Sequence, residues 1–156
     1  MRTPTSPAGS ACTTVRSVAA DRRFDVGTVA TTEAAGAPLA FKITDGPIRV
    51  AGRPYLSGLM TAAGVNNRAF YGLAVGTSPL DARLVQNNVL PVFALEPVFG
   101  EQRRIELPSV AVDVPEGQSL FVMATPFSDT FVGMGSRTPG AVILEDAVVD
   151  LPVVEE

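Results

Sequence analysis

Val110-Ala111-Val112-Asp113-Val114-Pro115-Glu116-Gly117-Gln118-Ser119-Leu120-Phe121-Val122-Met123-Ala124-Thr125 is the stretch on which the fold class turns. Val110, Val112 and Val114 alternate with Ala111 and Asp113, the period of two that buries one face of a strand and wets the other. Pro115-Glu116-Gly117 then supplies one fixed φ and one glycine free to take positive φ, a combination that turns the chain. Leu120, Val122 and Ala124 alternate with Phe121, Met123 and Thr125. The stretch therefore predicts two strands joined as a hairpin.

The same grammar extends outward in both directions. Residues 39–43 end at Thr44-Asp45-Gly46, and Ile48 and Val50 share a face until Gly52-Arg53-Pro54. Residues 55–61 lead into a turn at Gly64-Val65-Asn66-Asn67. Residues 69–75 place Tyr71, Leu73 and Val75 on one face and Phe70, Gly72 and Ala74 on the other. Two apolar faces predict a strand covered on both sides, within the chain or at a subunit contact. Residues 13–19 and 24–31 read as strands separated by Asp21-Arg22-Arg23. Residues 131–134 and 141–149 follow, the latter interrupted by Glu145-Asp146, and 151–154 precede the acidic Glu155-Glu156.

Residues 81–87, after Ser78-Pro79, predict one short helix, because a serine cap followed by proline suits a helix start. No other segment carries a stripe of helical period. Roughly nine to eleven short strands with frequent turn residues, among 14 glycines and 13 prolines, predict an all-β fold: an antiparallel β-sandwich or jelly roll. A chain of 156 residues is of one-domain length. Residues 1–11, with two prolines and little to bury, predict an extended N-terminal arm, and residues 12–156 a single sandwich domain.

Charged residues make up 18 % of the chain against 46 % hydrophobic, where about 25 % charged is typical of soluble domains. So little charge predicts that part of the surface is covered by another subunit. The net charge of −4 and pI near 4.8 predict no nucleic-acid partner. The apolar runs are of strand length, and none precedes Gly9-Ser10-Ala11-Cys12, so neither a membrane segment nor a signal peptide is expected. Cys12 is the single cysteine, which excludes an intrachain disulfide.

The chain has no histidine and no tryptophan, and eleven of its twelve basic residues are arginine. Without histidine it holds no Ser–His–Asp or Cys–His site and no His-ligated metal. Carboxylates are the remaining route to acid–base chemistry. The candidates are Asp81 with Glu96 or Glu101, Asp129, and Glu145 with Asp146, each placed where a solvated loop or strand end also puts an acid. No calcium-loop pattern occurs, and in a regular strand Glu145 and Asp146 point to opposite faces. The run 133–140 has the glycines of a phosphate-binding loop but lacks its Gly-Lys-Ser/Thr ending and a following helix. The expected catalytic, cofactor-binding and metal residues are none, with no cofactor.

The run Val112–Val153, VDVPEGQSLFVMATPFSDTFVGMGSRTPGAVILEDAVVDLPV, resembles the β-sandwich structural proteins of tailed phages, in head-decoration, fibre and minor tail subunits. Phe70-Tyr71-Gly72-Leu73-Ala74-Val75-Gly76, followed by Thr77-Ser78-Pro79, is similar in style. The resemblance implies a non-enzymatic virion subunit, commonly trimeric, attached to capsid or tail, with no catalytic residues to carry over. The expectation is thus a capsid decoration or accessory protein of a phage-like particle, a homo-oligomer located in the virion and acting by surface burial. The alternative is a carbohydrate- or host-surface-binding sandwich, with its site on residues 63–68 and 128–139 and with Tyr55 or Tyr71 as the aromatic contact.

Overall fold

The computed structural model describes residues 19–32, 38–62, 67–87, 89–94, 96–126 and 141–155. The arm expected at 1–11, Cys12, the segments at 128–139, Asp129 and most of the strand at 13–19 lie outside them. Among the described residues the chain forms eleven strands: β1 (Ala19–Thr32), β2 (Leu39–Asp45), β3 (Ile48–Gly52), β4 (Tyr55–Ala62), β5 (Asn67–Gly76), β6 (Arg83–Leu84), β7 (Leu90–Ala94), β8 (Val98–Glu106), β9 (Val110–Val114), β10 (Ser119–Thr125) and β11 (Ala141–Val154).

They make two antiparallel sheets packed as a β-sandwich. The first has the order β8-β4-β11-β3-β9, with β1 running along the other edge of β11. The second has the order β2-β10-β5-β6, with β7 beside the first half of β5. Alternation does the layering. In β4, Leu56, Gly58, Met60 and Ala62 face inward while Tyr55, Ser57, Leu59 and Thr61 are half-buried outside. Inward residues Val29, Val50, Leu56, Met60, Leu144, Val149 and Leu151 share one core with Tyr71, Leu73, Leu120, Val122 and Ala124 of the facing sheet. Each fully buried aliphatic side chain contributes about 1.5–3 kcal/mol.

β10 is buried at all seven positions. Its outward Phe121 and Met123 form a second cluster with Ala74, flanked by Ala40, Ala82 and Leu84. The two apolar faces read in residues 69–75 are thus both covered inside the chain. That burial needs no subunit contact.

Four sequence expectations change. The hairpin of residues 110–125 is not a hairpin: β9 pairs with β3 in one sheet and β10 with β2 and β5 in the other. Pro115-Glu116-Gly117 instead carries the chain between layers. The helix expected at 81–87 is a two-residue strand followed by a 3₁₀ turn, Val85–Asn87, because Arg83 and Leu84 pair with Val75 and Ala74. Asp21-Arg22-Arg23 does not break β1, since these residues pair with Pro152, Leu151 and Asp150. Residues 141–154 form one strand through Glu145-Asp146, which bulges with Asp146 at φ 49°. Gly58 lies under that bulge, where an added Cβ would come within 3.0 Å of the Glu145 carbonyl oxygen.

Candidate functional site

Two chain crossings lie side by side at one end of the sandwich. β2 passes to β3 through Asp45-Gly46-Pro47, and β9 passes to β10 through Pro115-Glu116-Gly117. Because β2 pairs with β10 and β3 with β9, the four strands form one two-stranded ribbon that bends from one sheet into the other. The Gly46 N–H donates to the Gln118 carbonyl at 2.8 Å, and the Gln118 N–H donates to the Pro115 carbonyl at 3.2 Å. A Cβ at position 46 would lie 2.2 Å from the Pro115 carbonyl oxygen, so only glycine permits this approach. The Gly46–Pro47 peptide is cis. Asp45 accepts a hydrogen bond from Ser119 Oγ at 2.7 Å and pairs with Lys42 at 2.6 Å. Lys42 and then Ser119 hold its carboxyl below the usual carboxylate range.

Beside this corner opens a cleft of about 540 Å³, within the range of small-molecule sites. Pro47, Ile48, Val114, Pro115 and Val153 make its apolar wall, and Arg22, Arg49, Asp113 and Glu155 bring charge to it. Arg49 Nε donates to Asp113 Oδ1 at 2.5 Å across the β3–β9 pair. Arg22 stands with its guanidinium 5.3 Å from the Phe24 ring centroid and has no ion pair with a described carboxylate. A second open cleft, about 480 Å³, is lined by Val75, Gly76, Leu80, Asp81, Ala82, Arg83 and Gln118. Leu80 is 98 % exposed there.

The sequence-derived acids are dispersed into structural duties. Asp81 accepts from the Thr77 hydroxyl and from the Ser78 N–H at 2.7 Å. Those bonds, Thr77 first, hold its carboxyl below the usual range. Glu101 pairs with Arg103 at 3.2 Å, Glu96 is exposed, and no hydrogen bond or ion pair joins Asp81 to either glutamate among the described residues. Glu145 and Asp146 are exposed on the bulge of β11. No group of three or more potential metal-ligating side chains gathers among the described residues.

The two tyrosines sit in different surroundings. Tyr71 is fully buried in the core, which corrects its expected role as a surface contact. Tyr55 is half-buried, with the Arg104 guanidinium 3.9 Å above its ring. Of the expected binding segment 63–68, only Asn67 and Arg68 are described, and both belong to β5. Sequence reading missed Arg22 and the Gly46–Pro115 corner. The Gly46-Pro47 dipeptide was the available signal, though it marks a turn without saying that the turn changes sheets.

No family model matches the chain, and neither does any curated protein. Solved structures do. An aminopeptidase from a marine-sediment Thaumarchaeota archaeon superposes with TM-score 0.55 at 12 % identity, covering 79 % of this chain and 27 % of its own. A CocE/NonD family hydrolase from Staphylococcus aureus gives TM-score 0.54 at 13 % identity, covering 88 % and 34 %. An α-amino acid ester hydrolase gives 0.51 at 13 %, covering 76 % and 26 %. At such identities the likeness shows the fold, and this chain spans about a third or less of each of these proteins. Likenesses to a carbohydrate-binding module and to an infectious bursal disease virus structure have TM-scores of 0.34 and 0.33 and carry no argument.

The expectation of a non-enzymatic chain is thereby corrected: its fold superposes above a TM-score of 0.5 on parts of an aminopeptidase and two hydrolases, so neither the fold nor the missing histidine excludes an enzyme. Among the described residues no helix is long and apolar enough to cross a membrane.

Proposed function

We propose that this chain is the β-sandwich module of a hydrolase, packed beside the body that carries the bond-cleaving groups. The supporting observation is that structures sharing its fold above a TM-score of 0.5 include an aminopeptidase, a CocE/NonD hydrolase and an α-amino acid ester hydrolase. Each covers most of this chain with a minor part of its own length. The substrate class that follows is a small ester or amide, with α-amino acid derivatives first to be tried.

The physical role of such a module is burial and positioning. A sandwich with an independent core presents a fixed surface to a neighbouring body, and contacts of this kind bury about 600–1,500 Å². The low charge content read in the sequence suits that role as well as it suits self-association. A homo-oligomeric virion subunit, trimeric and bound to capsid or tail, and a carbohydrate-binding module are the competing readings. The first rests on composition and on the sequence resemblance of residues 112–153.

Capture of the native species with an antibody against the sandwich, followed by native mass spectrometry, separates the three. A sandwich joined to or bound by a larger catalytic body supports the proposal. A ring of identical 156-residue copies, or co-purification with capsid protein, overturns it. Retention on an immobilised oligosaccharide without a larger body overturns it in favour of the carbohydrate reading.

A further inference from the structure

Arg22 is the observation that the hydrolase reading does not absorb. Arg23 pairs with Asp150 at 2.9 Å, Arg103 with Glu101 at 3.2 Å, and Arg49 and Arg53 with Asp113 and Glu106. Arg22 instead stands on the cleft beside the ribbon corner, exposed, and its one described contact is the Phe24 ring. On β1 it lies opposite Leu151, two residues from Phe24 opposite Val149. Leu151 and Val149 face the core, so the register aims Arg22 along the inner face of its sheet at the open end of the sandwich. The ring contact narrows the orientations of the guanidinium while leaving its N–H edge free.

The rest of the cleft sets the ligand. Pro47, Ile48, Val114, Pro115 and Val153 form an aliphatic wall, braced by two prolines and the Gly46–Gln118 hydrogen bond. Arg49 is paired with Asp113, and the Glu155 carboxylate also lines the cleft. Among the described residues, Arg22 is the cleft cation with no ion pair, and the Glu155 carboxylate beside it disfavours a multiply charged anion such as phosphate. A single planar anion suits the guanidinium fork, and an apolar body suits the wall.

We propose that this cleft binds an aliphatic monocarboxylate, its carboxylate on Arg22 and its hydrocarbon part along Pro47, Ile48 and Pro115. The inference goes beyond the hydrolase proposal and does not depend on it. A fatty acid and the apolar C-terminal residue of a peptide share the required chemistry.

Titration of the full chain by two-dimensional ¹⁵N NMR tests it, with octanoate, N-acetyl-leucyl-leucine and octylamine as probes. Saturable shifts at residues 22, 48, 49 and 114 are expected with octanoate or the acetylated dipeptide, and whichever binds tighter identifies the source. Arg22→Gln, an exposed substitution that spares the core, should weaken that binding at least tenfold. Glu155→Gln should leave it equal or tighter. No saturable shift with either carboxylate overturns the proposal. So does binding unchanged by Arg22→Gln, or equal binding of octylamine.

Discussion

Gly46→Ala tests the architecture where it is most exacting. The added methyl would lie 2.2 Å from the Pro115 carbonyl oxygen and 2.9 Å from the Val114 carbonyl oxygen. Both obstacles are backbone, so no side chain can rotate away, and the two crossings must separate. Separation strains or breaks the 2.8 Å hydrogen bond from the Gly46 N–H to Gln118, a loss of about 1 kcal/mol. Forced repacking adds about 1–3 kcal/mol. The sum of about 2–4 kcal/mol corresponds to a fall in Tm of roughly 4–16 °C for a chain of this length. Gly100→Ala is the comparator: its methyl meets nothing within 4 Å at φ +61°, leaving the left-handed backbone cost of about 1 kcal/mol. Urea unfolding followed by far-ultraviolet circular dichroism measures both. The reasoning is refuted if Gly46→Ala loses no more stability than Gly100→Ala.

Further outcomes follow from buried groups and from charge. Tyr71→Phe should be stabilising by about 1 kcal/mol, because the Tyr71 hydroxyl is buried without a hydrogen-bond partner among the described residues and removing it relieves an uncompensated desolvation; a loss above 1 kcal/mol in the same urea assay would reveal a partner. Burial also raises the Tyr71 pKa, so ultraviolet titration should show its phenol ionising only with unfolding. Phe121→Ala should cost about 3–5 kcal/mol, since Phe121 is 1 % exposed within the second cluster; a cost below 1 kcal/mol would mean that this outer face is effectively solvated. Asp45 and Asp81 have lowered pKa values in the fold, so their contribution is present above the unfolded-state value and lost as pH falls through the folded-state values. Urea midpoints measured from pH 5 downward should therefore fall, and Asp45→Asn with Asp81→Asn should flatten that slope; an unchanged slope contradicts the assignment.

The sandwich was legible because its inner strands obey simple alternation. Residues 55–61 and 69–75 announce β4 and β5 almost to their ends. β8 gave no such signal: Glu101, Gln102, Arg103, Arg104 and Glu106 are exposed, and an edge strand is free to carry charge that discourages pairing with another chain. β1 hides its first half in the same way, with Asp21, Arg22, Arg23 and Asp25 on an outermost strand. The hairpin error has a different origin. A turn of Pro, Glu and Gly fixes a reversal locally, but whether the next strand stays in its sheet depends on the distant contact with Gly46. Arg22 was invisible for a related reason: that it has no carboxylate partner among the described residues is a property of the pairing register, which leaves Asp150 opposite Arg23 instead.

The central claim concerns what the native species does, and hydrolysis is its most direct readout. The species captured through the sandwich should hydrolyse α-amino acid aryl esters or anilides, and the activity should co-migrate with the sandwich through gel filtration. A homogeneous assembly of this chain alone, inert toward every ester and anilide offered, would contradict the account.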